Sequence, residues 1–365
     1  MWLKILSSEV DSAELSWGNN DGPHPQTYRV GLATIRHETG LVRDRLNALA
    51  RWGVRSDPTT LSPILQALAT AGYQLHFELF GGLSNADRSA AAEIRLWVNE
   101  QFENDKTLCI TSNPGIHIPW GLVCEQDQLT FRDGEVSIES FGPMWGMKYS
   151  LSATLSGFTY PKRKLERAGE RRRLLSLLNQ EVVDAIVEDH RASFREMIDR
   201  RPIGPARNLT ELNELIKGAG KGDTVLHFFG HQQNGKLILG GDNSIDVTRF
   251  KILLDELIRE SGGPNESTGL VFMSACDGAH GVSDYSFISA ADRAGILGLI
   301  ATESAVPRNF AAKFAIRFMG LIEDGVSVGE AMTQLRRSSE FFPLSLLYGC
   351  YAQPGLRFVP MNGRA

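Results

Sequence analysis

Two apolar runs of strand length, each running out into a reactive side chain, constrain this sequence more than any other feature. Residues 224–229 read TVLHFF and residues 269–274 read GLVFMS. Strands with so little alternation of polar and apolar residues are buried on both faces, as in the middle of a parallel sheet covered by helices. His231 stands two residues past the first run, and Cys276 two residues past the second. In an open parallel sheet, reactive groups collect just beyond the carboxyl ends of the strands. If these two strands are neighbours, an imidazole and a thiol emerge side by side.

The surrounding pattern supports that sheet. A strand is expected at 236–239, a helix at 248–260, a helix at 284–294 and a strand at 296–301. Helices at 308–322 and 328–340 and a closing strand at 345–351 follow. Strands alternating with helices of this length make βαβ units and a mostly parallel sheet flanked by helices, an α/β fold. The N-terminal part reads as strands at 3–6 and 28–35 around the turn segment GNNDGPHP. Helices follow at 41–52 and 61–80, with a third opening at Asn85 or Asp87 and reaching residue 102. A buried strand (TLCITS, 107–112), an irregular apolar segment (IHIPWGLV, 116–123) and short strands over 128–156 complete it. At Pro161 the composition changes. PKRKLERAGERRR opens a helical pattern that reaches Asp199, and its charges read as a solvated face or a docking surface for an acidic partner. The chain therefore divides into an N-terminal half, 1–160, and a C-terminal half, 161–365.

The bulk numbers exclude several classes. With 365 residues, 42% hydrophobic and 22% charged, the chain can build a packed core. A net charge of −5 argues against a generic nucleic-acid binder. No signal-peptide pattern and no apolar run of about 18 residues is present, so a cytoplasmic protein with no membrane contact is expected. The four cysteines show no C-x-x-C spacing, and neither GGLSNADRS nor GAGKGDT makes a phosphate loop, so no metal and no cofactor is expected.

The chemistry follows from the pair. A free thiol has a pKa of about 8.5, and an adjacent imidazole can take its proton. Cys276 also precedes a helix, whose N-terminal dipole favours a thiolate. Attack on a carbonyl needs oxyanion donors, for which the backbone N–H of Cys276 and one from the loop after His231, which begins at Gln232, are the natural candidates. Gly278 and Gly281 suit close backbone approach. His227, inside its strand, reads as a core histidine, and Cys109, Cys124 and Cys350 read as structural.

These residues resemble a known family. Ser274-Ala275-Cys276-Asp277-Gly278 is similar to the caspase signature Q-A-C-x-G, and His231 lies upstream by close to its interval of about 50 residues. The wider pattern resembles the CHAT family of caspase-like proteases related to separase. It includes VLHFFGH, VFMSAC, GILGLIATES, EDGVSVGEAMTQLR, LYGCYAQPGLRF and the upstream IHIPWGLVCE. The likeness covers about residues 60–360 and is strongest over 224–358. It implies a caspase-haemoglobinase fold in which an N-terminal, non-catalytic pseudo-caspase half accompanies the catalytic half. It also implies Cys276 as nucleophile and His231 as its partner. A substrate peptide is expected along the edge 301–304, touching Thr302, Glu303 and Ser304. Glu303 or Asp277 would select a basic residue, and the polar loop 277–286, with His280, would gate the cleft. One departure stands out: Gln232 occupies the position after the catalytic histidine where the family has glycine.

The resemblance implies an endopeptidase acting on a partner protein, for example a pore-forming effector, in bacterial defence or regulated cell death. An unregulated protease would be harmful, so an activating or regulatory chain is expected. Two other readings compete: a catalytically silent caspase-like binding module, and a Cys/His amidase with a small-molecule substrate.

Overall fold

In the computed structural model the alternation expected after residue 224 is present, and a second sheet precedes it. The structure describes residues 1–9, 11–18, 26–55, 57–104, 106–112, 117–127, 129, 136–154, 173–199, 205–219, 224–240, 243–261, 269–275, 286–353 and 355–358. The chain forms two units. The first comprises Met1–Thr159 and Arg336–Leu346, the second Tyr160–Leu335 and Leu347–Ala365.

The first unit opens with β1 (Trp2–Glu9), β2 (Ser12–Gly18) and β3 (Gln26–Gly31). Three helices follow: α1 (Leu32–Arg55), α2 (Pro58–Leu79) and α3 (Asn85–Asn104). Then come β4 (Thr107–Ser112), the short helix α4 (Trp145–Lys148) and β5 (Ser150–Thr154). The sheet order is β3-β2-β1-β4-β5. Its first two pairings are antiparallel, and β4 lies parallel to both β1 and β5. Helix α1 buries Leu32, Ile35, Thr39, Val42, Leu46 and Leu49, the spacing of one face of a 3.6-residue repeat. Asp57 caps α2 by accepting from the Thr59 N–H at 3.0 Å, with Pro58 as the first helical residue. The region 28–35, expected as one strand, turns helical at Leu32. Of the strands expected over 128–156, only β5 is found among the described residues, because Trp145–Lys148 forms a buried helical turn.

The second unit contains β6 (Arg173–Leu178), α5 (Gln180–Asp184), α6 (Glu188–Asp199) and α7 (Leu209–Ala219). It continues with β7 (Thr224–Gln233), β8 (Lys236–Gly240), β9 (Asn243–Ile245), α8 (Val247–Glu260) and β10 (Gly269–Ala275). It closes with α9 (Phe287–Arg293), β11 (Gly298–Thr302), α10 (Arg308–Glu323), α11 (Val328–Arg336) and β12 (Tyr348–Ala352). Strands run in the order β12-β11-β10-β7-β8-β9, with β6 also on β7. The core pairings β6–β7, β7–β10 and β10–β11 are parallel. Helices cover both faces: Phe194 of α6 and Phe318 of α10 meet one, and Phe250 of α8, itself against Phe287 of α9, meets the other. This is the helix-flanked α/β architecture expected. Among the described residues no helix is long and apolar enough to cross a membrane.

Two expectations fail here for physical reasons. The helix expected through 161–199 is interrupted by β6, because 174–178 are buried and pair with β7 throughout. Leucine favours helix on its own, but burial in a sheet overrides that preference. The basic run itself lies outside the described residues from 161 to 172. The helix expected over 328–340 stops at Arg336, and Arg336–Leu346 joins the first unit rather than the half that contains it in sequence. Arg336 is buried against Gly121 and Gly146, and the Phe342 ring meets Phe141 at 4.7 Å, both contacts within the first unit.

Candidate active site at the ends of the central strands

Strand β7 is central because both of its edges are used. Arg173–Leu178 pairs along Thr224–Phe229 on one side, and β10 pairs along Thr224–Gly230 on the other. All seven residues of β10 are buried. The register sets His227 beside Phe272 and, at the end of the ladder, Gly230 beside Ala275. His231 follows Gly230 in the chain and is exposed. Cys276 follows Ala275 and lies outside the described residues, as do Asp277, Gly278, His280 and Gly281.

The strand read over 224–229 is longer in the structure. β7 runs through His231 to Gln233 and turns back into β8, with His231 opposite Ile238 and Gln233 opposite Lys236. Asn234 and Gly235 make the turn with φ of 51° and 71°. Two consecutive positive φ values are the type I′ geometry that Asn-Gly favours, and its twist matches that of the flanking strands. The Asn-Gly pair was the sequence signal for this hairpin.

That turn decides where the Gln232 amide points. A two-residue hairpin closes on a hydrogen-bonded pair, here Gln233 with Lys236, so the preceding pair of Gln232 with Leu237 is not hydrogen-bonded. The Gln232 N–H therefore faces away from β8, toward the edge of β7 that carries β10. The Gln232 side-chain oxygen is buried and has no hydrogen-bond partner.

Asn179, a residue the sequence reading passed over, holds this corner. Its backbone N–H donates to the Phe229 carbonyl at 2.8 Å. Its Oδ1 accepts from the N–H groups of Glu181 and Val182, capping α5, while its Nδ2 donates to the Ile238 carbonyl at 3.1 Å. Gly230 is confined between the same groups: a Cβ there would lie 3.0 Å from the Ile238 carbonyl oxygen and 3.3 Å from Asn179 Cβ. The cap signal at Asn179 was masked by reading 161–199 as one helix.

The edge expected to receive a peptide is already occupied. β11 pairs with β10 on one side and antiparallel with β12 on the other, with Ala301 opposite Gly349 and Thr302 opposite Tyr348. The Glu303 N–H donates to the Leu347 carbonyl at 2.8 Å. Thr302, Glu303 and Ser304 are all buried. The Thr302 hydroxyl donates to the Ala275 carbonyl, and Glu303 accepts from the Tyr351 hydroxyl. These side chains lie inside the unit, not on an open edge.

The other sulfur and imidazole groups separate from the site. His227 is fully buried, stacked on Phe272 at 5.2 Å, and neither ring nitrogen has a hydrogen-bond partner. Burial lowers its pKa to about 3. Burial raises the Cys124 thiol to about 11. Cys109, Cys124 and Cys350 carry thiols rather than disulfides.

The second unit is thus a mostly parallel, helix-flanked sheet with His231 on its central strand. The chain belongs to the CHAT domain family, whose profile matches residues 105–339, more than half of the sequence. Two crystal structures of the Saccharomyces cerevisiae separase–securin complex, at 3.0 and 2.6 Å resolution, share this fold. Their TM-scores are 0.56 and 0.52, at 8% and 10% sequence identity. Each match covers 96% of this chain, which spans only 30% of the matched chain. Among curated proteins, no sequence match is found.

Proposed function

We propose that this protein is a cysteine endopeptidase, with Cys276 as nucleophile and His231 as its proton acceptor and donor. The observation that carries this reading is the register of β7 on β10. The last described pair is Gly230–Ala275, and each candidate is the next residue in sequence. Consecutive Cα atoms lie about 3.8 Å apart, so neither chain has room to carry its residue far.

In this mechanism His231 takes the Cys276 proton and the thiolate attacks the peptide carbonyl carbon. The carbonyl π electrons move onto oxygen, where the Cys276 and Gln232 N–H groups donate to the oxyanion. His231 then protonates the departing amine as the tetrahedral intermediate collapses to a thioester. Water, losing its proton to His231, hydrolyses the thioester and restores the thiol. The orientation of the Gln232 amide away from β8 supports its role, although a side chain stands where the family has glycine. We assign Thr302 to holding the carbonyl of Ala275, the residue before the nucleophile, rather than to substrate. Asp277 remains the proposed carboxylate for a basic substrate residue.

We take the first unit as the non-catalytic pseudo-caspase half and the second as catalytic, acting in a reducing cytoplasm on a partner protein in regulated proteolysis such as defence or cell death. The similar structures are of a separase–securin complex. We extend the idea of a bound partner chain to this protein as its form of control. The test compares new protein N-termini in host cells carrying wild type or Cys276→Ala. Cleavages that disappear in the variant are expected; cleavage that persists unchanged excludes Cys276. Gln232, which follows His231 where the family has glycine, favours one alternative, a silent binding module. Failure of an electrophilic peptide probe to label Cys276, even with the partner bound, would select it.

A further inference from the structure

The first unit contains a cavity of about 470 Å³ whose wall carries Lys106, Lys148 and Arg337. That volume lies within the range of small-molecule sites, about 300–1,000 Å³. The three cations differ in what they already hold. Glu125 accepts from Lys148 Nζ at 2.8 and 3.0 Å and also from the Tyr149 hydroxyl at 2.9 Å, so Lys148 is neutralised and fixed. Arg337 donates through Nε to the Met147 carbonyl at 2.8 Å and through Nη2 to the Met147 and Lys148 carbonyls. This orients the guanidinium and leaves Nη1, with two N–H donors, without a hydrogen bond among the described residues. Lys106 is exposed, and its ammonium makes no ion pair among the described residues. The one carboxylate of the wall, Glu139, already has a partner of its own. Ile138 and Met147 supply apolar surface beside these charges.

We propose that this cavity binds a small organic phosphate, with Arg337 Nη1 and Lys106 Nζ on the phosphate oxygens and Ile138 and Met147 against its body. A planar guanidinium held in place by backbone carbonyls presents its remaining donors in a fixed direction, which suits phosphate geometry. Charge-assisted bonds to an oriented group cost less ordering than bonds to a mobile one. The chain passes from the second unit to the first between Leu335 and Arg336, so the ligand would grip the chain directly after that crossing.

Isothermal titration of the full chain with ribose 5-phosphate, AMP, inorganic phosphate, citrate and uncharged adenosine tests the site. Saturable one-to-one binding of AMP or ribose 5-phosphate, absent with adenosine, is expected. Lys106→Glu, an exposed change, should weaken it at least tenfold, and Ile138→Trp should abolish it by filling the space. Thermal melts of both variants check that each remains folded. No saturable binding of any phosphate, or binding that Lys106→Glu leaves unchanged, overturns the site. Citrate binding in place of the phosphates overturns the ligand class.

Discussion

His227 and His231 share one strand and have opposite surroundings. His231 is exposed, whereas His227 is enclosed by Phe194, Phe229 and Phe272. The folded protein keeps His227 neutral down to about pH 3, while in an unfolded chain it takes a proton near 6.5. The stability it contributes is complete above the unfolded value and is lost as pH falls from there toward 3, by about 1.4 kcal/mol per pH unit. His76, lowered to about 4 mainly by burial, acts in the same direction in the first unit. Between pH 7 and pH 5, His227 should cost about 2 kcal/mol. Urea unfolding of wild type and His227→Phe at both pH values measures it: the variant should lose that much less on acidification. An equal loss in both proteins would assign the acid sensitivity elsewhere. The split between the two histidines was legible in sequence, because one lies inside an apolar run and the other beyond it. The burial of Thr302 and Glu303 was not, since it depends on β12, which pairs from a distant part of the chain.

At the scale of elements, the hairpin of β7 and β8 carries His231, and Asn179 ties it to the end of the parallel sheet. Asn179→Ala removes a helix cap worth about 1 kcal/mol and a bond to the Ile238 carbonyl worth about 1 kcal/mol more. A loss of about 2 kcal/mol in urea unfolding is expected. Faster amide exchange over 231–238 should accompany it, with protection in β10 largely kept. Asn179→Asp retains the cap but not the Nδ2 donor, so it should free the hairpin with less effect on α5. Unaltered exchange in the hairpin with Asn179→Ala would show that the turn alone fixes it. The strands that place the site were readable because burial on both faces leaves an unbroken apolar run. β6 was not: its leucines suit a helix equally well, and only the pairing with β7 decides. The hairpin was half visible, as an Asn-Gly turn without the register that turns the Gln232 amide toward β10.

At the scale of the molecule, the boundary near residue 160 showed in composition, while the return of Arg336–Leu346 to the first unit did not. No local pattern announces it. Its fit rests on two glycines far upstream: a Cβ on Gly146 would lie 2.7 Å from the Gly121 carbonyl oxygen and 3.1 Å from Arg336 Nη1. A fragment of residues 1–160 should therefore melt without a cooperative transition. The same fragment joined through a Gly/Ser linker to 336–346 should regain one, by circular dichroism. Equal cooperativity in both would make the returning segment dispensable. The discontinuity also sets an order of events in the growing chain. Most of the first unit leaves the ribosome early, yet the strip that completes it is made after nearly all of the second. Of the two units, the one begun first is thus completed only after most of the other has been made. Nor does any single backbone cut release two whole units: wherever the chain is nicked, one piece keeps part of the other's fold.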